Sequence, residues 1–242
     1  PYVSNYYVQA VIMFLIMAGG LGFMVWVEIG EWRKKRHLSL HARMVLLFSC
    51  ILWVGGSVLI GLMEWNNPKS MGGLSVPGKV MAALFQSVST RTAGMNTIDL
   101  AACGPITKLL MSILQFIGAA PGSTGGGIKT TTFFVLLQGI KSAATNRSEK
   151  AFRYSVPVNA FRKASVILLM GLTIVLTGSF IMSALEPGID MSDILFEITS
   201  AFGTTGLSTG ITGSLTTGSK ILSIIIMYIG RLGPLTIATL WY

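Results

Sequence analysis

Charge is what this chain has least of. Only 11% of its 242 residues are charged and 52% are hydrophobic, whereas soluble domains carry about 25% charged residues. Such a chain has too little polar surface to face water on every side, so it reads as an integral membrane protein. Cysteine and histidine are nearly absent, two of each. Cys50 and Cys103 stand singly in different contexts, which indicates neither a disulfide framework nor a metal site. His37 and His41 are four apart and could share a helix face, but no third ligand lies near them in sequence. Nucleophilic chemistry is not indicated either, because Ser123, Thr130, Thr131 and Thr132 have no adjacent base, and no enzyme is read. Glu28 and Glu31 read as surface partners of the basic residues 33–36. An initiating Met and a basic leader are also missing before Pro1, so no signal peptide is expected and the chain is read as starting inside a larger protein. The formal charge of +9 does not point to nucleic acid, since the basic residues are confined to two short connections between apolar runs.

What is present is long apolar segments, interrupted by 28 glycines that cluster at loops and along helices, as where helices pack closely or break. Residues 8–29 form the first candidate span, long enough against the roughly 20 residues needed to cross. Gly19, Gly20 and Gly22 in it predict close packing against another helix or a loop. A connection bearing Arg33, Lys34, Lys35, Arg36 and Arg43 follows, cytoplasmic by the positive-inside rule. Residues 42–63 return outward. Residues 77–89, opened by Pro77, are too short to span and predict a half-helix. A second basic connection, residues 141–163, carries Lys141, Arg147, Lys150, Arg153, Arg162 and Lys163 against Glu149. Residues 164–185 lead out again to an acidic corner of Glu186, Asp190, Asp193 and Glu197, read as a negative vestibule that concentrates cations. The 13 methionines read as helix packing.

Two short stretches are near copies. FQSVSTRTAGMN at residues 85–96 has a near copy in ITSAFGTTGLST at residues 198–209, with Thr92, Ala93, Gly94 and Met95 falling on Thr204, Thr205, Gly206 and Leu207 at an offset of 112. Each copy sits in the same order of parts: apolar helix, polar corner, half-helix, Thr-x-Gly loop, second apolar helix. A half-helix aims its negative C-terminal end at the loop, which favours a cation there. Irregular backbone at membrane depth is tolerated only where it is buried in protein or lines an aqueous cavity, and carbonyls freed by such a loop can replace a cation's hydration shell. Both loops are therefore expected to line a cation path. The other reading, tight turns between helices, stays open at this point.

The apolar segment from Pro105 to about residue 140 is too long for one perpendicular crossing, and its centre explains the excess. Gly118, Ala119, Ala120, Pro121, Gly122, Ser123, Thr124, Gly125, Gly126, Gly127, Ile128, Lys129 and Thr130 include five glycines and one proline, so the helix is expected to break there. A phosphate-binding loop is excluded by spacing and by the lack of a preceding strand. The glycines lower the barrier to backbone rearrangement, and Pro121 lacks an amide donor.

These motifs, with Gly230-Arg231-Leu232-Gly233-Pro234-Leu235-Thr236 near the end, resemble the membrane subunit of the Ktr/Trk/HKT potassium transporter superfamily, in its KtrB-like branch. The resemblance covers essentially the whole chain. It implies an all-α integral membrane protein built from repeated helix, pore half-helix, filter loop, helix units as in potassium channels, of which this chain holds the second half. Residues 1–30 would be the last helix of the second unit, 31–141 the third unit with its broken helix, and 142–242 the cytoplasmic connection and fourth unit. It further implies that Thr92, Ala93, Gly94 and Met95 form the third filter strand and Thr204, Thr205, Gly206 and Leu207 the fourth. The break at residues 119–132 would be an intramembrane gate, with Arg231 beside it. Potassium is the implied cargo, with sodium as a second candidate ion. A homodimer in the bacterial plasma membrane, embedded in lipid and docked through its basic connections on a cytoplasmic nucleotide-binding ring, is the implied assembly, with nucleotide held only by the partner subunit. The competing reading from the residues alone is a non-conducting carrier or structural subunit that holds a small anion at Lys129.

Overall fold

The computed structural model describes residues 5–145, 150–151, 154–155 and 158–233. Among these the chain is predominantly helical: α1 (Tyr6–Leu21), α2 (Phe23–Lys35), α3 (Leu40–Glu64), α4 (Val76–Ser89), α5 (Pro105–Phe116), α6 (Thr130–Thr145), α7 (Val158–Leu185), α8 (Met191–Gly203) and α9 (Thr217–Leu232). A two-residue antiparallel pair, Lys150–Ala151 with Tyr154–Ser155, interrupts the second basic connection. Arg147, Glu149 and Arg153 of that connection, and Pro234, Leu235 and Thr236 with the rest of the expected closing helix, lie outside the described residues.

Local signals set the boundaries. Ser39 and Ser75 cap α3 and α4 by accepting from the amides of Ala42 and Gly78, and prolines occupy the first turns of α4 and α5, where a missing N–H costs nothing. By length and composition, α3 and the Asn159–Leu185 part of α7 can cross a membrane. The first candidate span, residues 8–29, is sharply bent: α1 and the Phe23–Trp32 part of α2 meet at 97°. Gly22 makes the corner, with φ of +82°, a conformation an L side chain rarely adopts. A Cβ there would lie 2.6 Å from the Pro121 carbonyl oxygen. The freed backbone finds partners, because the Phe23 amide donates to Gly122 O at 3.3 Å and Trp26 Nε1 to Ala18 O at 2.8 Å.

The 112-residue repeat continues through the three-dimensional structure. Pro105 and Thr217, which start α5 and α9, are 112 apart, and α4 and α8 each run into one of the duplicated loops. Each unit closes by the same device, a carboxylate at the end of its outer helix holding the start of its inner helix. Glu64 accepts from Gly104 N at 2.9 Å and Thr107 Oγ1 at 2.5 Å; Glu186 accepts from Thr216 N at 2.7 Å and Ser219 Oγ at 2.8 Å. The clamped residues, Gly104 with Thr216 and Thr107 with Ser219, are again 112 apart, whereas the two glutamates are 122 apart. Glu64 also takes Asn67 and Ser70 and is buried. The units then join through α5 and α8, where Phe116 stacks on Phe202 with ring centroids 5.5 Å apart. Lys108 pairs there with Asp193 at 2.6 Å.

The two clamps differ in burial, and this yields a stability test. Glu64→Ala strips the Gly104 amide and Thr107 hydroxyl of their partner in a buried setting and should cost about 1–3 kcal/mol; Glu186→Ala, at a half-buried position, should cost less. Hydrogen bonds from the Thr216 amide, then from the Thr216 and Ser219 hydroxyls, hold the Glu186 carboxyl below its ordinary value of 4.5. A depressed native pKa contributes stability that is complete above the ordinary value and lost as pH falls through the native one. The melting temperature of wild type in detergent should therefore fall faster than that of Glu186→Ala below pH 4.5; parallel curves would show that the clamp does not act through this charge.

Candidate functional site

The duplicated loops adopt the same backbone. Thr92 and Gly94 have φ of +70° and +73°, and Thr204 and Gly206 have φ of +50° and +87°, so the left-handed positions recur at equivalent residues. Each loop hangs from the end of its half-helix. In the first, Ala93 N donates to Ser89 O at 3.2 Å and the Ser89 hydroxyl bonds to both Met95 O and Met95 N. In the second, Thr204 N and Thr205 N donate to Ala201 O and Ser200 O at 3.0 and 2.8 Å. The two loops meet. A Cβ on Gly94 would stand 2.6 Å from Thr205 O, Gly206 approaches Gly94 Cα, and Thr205 Oγ1 lies 3.5 Å from Thr90 O. Leu207 is buried in the core that joins the units, whereas Met95 is half-exposed. Cavities of about 290 and 310 Å³ flank the pair, one lined by Gly20, Arg91, Thr92, Ala93 and Met95, the other by Glu197, Thr204, Gly206, Ser208 and Met227.

The expected break is present and lies against these loops. Residues 117–129 leave helical geometry between α5 and α6, and the segment is pinched at its base, where Gly118 N donates to Ile128 O at 2.9 Å and Ile128 N to Phe116 O at 3.1 Å. Ala119, Ala120 and Ile128 are buried. Ala120 N donates to Gly20 O at 3.0 Å, and Thr130 N to Ala119 O at 3.4 Å where α6 begins. Beyond the corner at Pro121, Gly122 and Ser123, the tip rests on the loops. A Cβ on Gly125 would lie 2.6 Å from Thr92 Oγ1, and one on Gly126 would lie 2.6 Å from Thr204 Oγ1. The Gly126 amide donates to that hydroxyl at 3.0 Å. Gly127 N donates to Gly230 O at 3.2 Å, Lys129 Nζ to Gly125 O at 2.5 Å, and Arg231 Nη1 to Thr124 O.

Two further findings concern charge. In the acidic corner read as a negative vestibule, three of the four acids also have local partners: Glu186 holds the start of α9, Asp193 pairs with Lys108, and Glu197 is buried behind the second loop, accepting from Ser208 Oγ, Thr209 N and Thr212 Oγ1. Sequence reasoning also missed Arg91. Its side chain is 4% exposed, donates from Nη2 to Gly118 O at 2.8 Å and lies over the Trp53 ring at 5.8 Å. The available signal was the repeat itself, since Arg91 falls on Gly203 in the second copy.

The family model for TrkH, described as cation transport protein, matches residues 1–242. The chain belongs to this family. It is 37% identical over 236 residues to Ktr system potassium uptake protein B of Bacillus subtilis (strain 168), covering 97% of this chain and 53% of that protein. It is 33% identical over 240 residues to the potassium/sodium uptake protein NtpJ of Enterococcus hirae, covering 97% and 52%. The chain thus spans about half the length of these relatives. Among solved structures, the potassium transporter TrkH from Vibrio parahaemolyticus superposes with a TM-score of 0.77 at 20% identity, over 98% of this chain and 52% of that one, a likeness of fold.

The contact geometry separates the two glycines of the TrkH-family loops. Both positions have positive φ, which strains any side chain by about 1–3 kcal/mol, but only at Gly94 would the Cβ also strike a backbone oxygen. Gly94→Ser should lower the yield and melting temperature of the protein more than Gly206→Ser does. On the surviving Gly206→Ser protein the ratio of potassium to sodium uptake should fall; an unchanged ratio with normal folding counts against a role for this loop in the ion path.

Proposed function

We propose that this chain forms half of a potassium uptake pore, with Thr92, Ala93, Gly94, Met95 and Thr204, Thr205, Gly206, Leu207 as two of its filter strands and residues 119–130, with Arg231, as its gate. The observation that carries this reading is the shared backbone of the two loops, stacked on the break. In extended chain, successive carbonyls point to opposite sides; a left-handed residue at every second position turns them toward one side, as a dehydrated cation requires. The loops meet through glycines, which lets carbonyls approach each other as side chains would not. Two such loops cannot encircle an ion. The rest of the pore comes from segments outside these residues, consistent with relatives about twice as long.

The contacts of the break support its reading as a gate. Thr92 and Thr204, the first residues of the two strands, both touch its tip, so the tip lies directly at one mouth of the path. Its contacts are single hydrogen bonds to separate elements and involve no large apolar surface, which makes release of the tip cheap compared with unpacking a helix. The anion-carrier reading loses its best evidence, since the Lys129 ammonium already bonds Gly125 O within the loop.

Potassium is favoured as cargo by the names of the relatives, and sodium as a second ion by the name of NtpJ. The relatives named as protein B and protein D of a Ktr system favour a transporter that works with a partner subunit; that this partner is a cytoplasmic nucleotide-binding ring, docked on the basic connections of a homodimer in a bacterial plasma membrane, rests on the family resemblance of the motifs. Crosslinkers placed at Arg43 and Lys163 should capture that partner, and capture confined to the region of Glu186 would reject this docking.

The gate is tested on full-length protein in proteoliposomes. Deleting residues 123–126 should give a pore with high resting potassium flux. Arg231→Gln, which removes the donor to Thr124 O, should raise resting flux by about tenfold, the value of one charged hydrogen bond. A deletion protein that folds and inserts but keeps wild-type resting flux would place the gate elsewhere.

A further inference from the structure

Arg91 is a buried cation that the pore reading leaves unused. It follows the half-helix α4 directly and precedes Thr92, so its backbone belongs to the loop of the first copy. Its side chain runs the other way, behind the loop, to the base of the break. There Nη2 meets Gly118 O at 2.8 Å, on the residue whose amide closes the base onto Ile128. The guanidinium plane is backed by Trp53 of α3. Among the described residues Nε and Nη1 have no hydrogen-bond partner and Arg91 has no acidic partner within ion-pair distance. A guanidinium held this way is costly, and its one strong bond is to the break. The second copy has no counterpart, because Gly203 occupies the position and a Cβ there would lie 2.5 Å from Gln115 O.

We infer that Arg91 is a positioning residue, a strut that fixes the base of the gate segment to the first filter loop, so that the segment can move only at its tip. This rests on the gate reading above. The tip is held by Thr204 and Arg231 and, from within the segment, by Lys129; neither cation there is fully buried. Gly118 cannot leave Arg91 without stranding a buried charge. The strut therefore divides the segment into a fixed base and a mobile tip.

The test uses full-length protein in proteoliposomes, with Arg91→Gln and Arg91→Lys made both in wild type and in the protein lacking residues 123–126. Arg91→Gln should raise resting potassium flux about tenfold in the intact-loop protein, and Arg91→Lys, which keeps a donor within reach of Gly118 O, should raise it less. In the deletion background, where the tip no longer obstructs, Arg91→Gln should add nothing, a non-additivity that a merely structural role would not produce. If the deletion raises flux but Arg91→Gln in the intact protein does not, the strut is overturned and the gate reading stands. Equal increases in both backgrounds would place Arg91's action on the filter and also overturn it. A deletion with wild-type flux overturns the gate reading, and the strut with it. Should Arg91→Gln fail to insert, Arg91→Lys carries the same comparison, because it retains the charge.

Discussion

The described residues are organised by one constraint, that a segment of non-helical backbone buried among membrane helices must satisfy its own polar groups. Residues 117–129 do so by borrowing from every neighbouring element. Their amides go to Gly20 O on α1, the Thr204 hydroxyl in the second loop and Gly230 O on α9. Their carbonyls receive Phe23 N, Arg91, Lys129 and Arg231. Pro121, which has no amide, stands at the corner where none is needed. The bend between α1 and α2, the glycine on α9 and the threonines that open both loops are all consequences of serving this one segment. Each of them is a place where the backbone must come close or a side-chain oxygen must face inward.

The electrostatics follow from the same arrangement. Three cations, Arg91, Lys129 and Arg231, converge on carbonyl oxygens of the break, and among the described residues none of them has an acidic partner within ion-pair distance. The acids are used elsewhere, as helix clamps at Glu64 and Glu186, as the inter-unit pair Asp193 with Lys108, and behind the second loop at Glu197. Positive charge beside the segment and negative charge at the far ends of the helices give a field that opposes a cation at the break and favours one at the loops. In the proposed pore, the groups that favour a cation at the loops are backbone dipoles, held in place by buried carboxylates.

Much of this was legible in the residues. The duplicated Thr-x-Gly motif predicted two equivalent loops, and the shared left-handed positions at Thr92 and Gly94, Thr204 and Gly206 show that the equivalence reaches the backbone. The glycine-rich centre predicted a break, since no amphipathic period ran through it. The bend at Gly22 was hidden because residues 8–29 are apolar without interruption, and a hydropathy pattern does not distinguish a straight helix from one turned by a tertiary contact. The roles of the acids were hidden for a related reason: a cluster of carboxylates in sequence looks like an exposed field, and only the positions of Lys108, Thr216 and Ser208 show that the cluster is consumed by local partners. Arg91 is the most instructive miss, because it lies inside the motif yet points away from the feature the motif builds.

The repeat also explains why the two units differ where they do. Close equivalence is kept at the clamps and the glycines, where geometry is fixed by contact distance. It is abandoned at Arg91 and Gly203, and at Gly118 and Gly230, where one copy must carry the break and the other must support it. Gly230 supplies an acceptor to Gly127 while pressed against the backbone of Phe202, and Gly118 begins the departure from α5. A duplicated unit with two identical inner helices would have either no obstruction or two competing for the same space. Breaking the symmetry at one pair of positions leaves one inner helix interrupted and the other continuous enough to support the interruption.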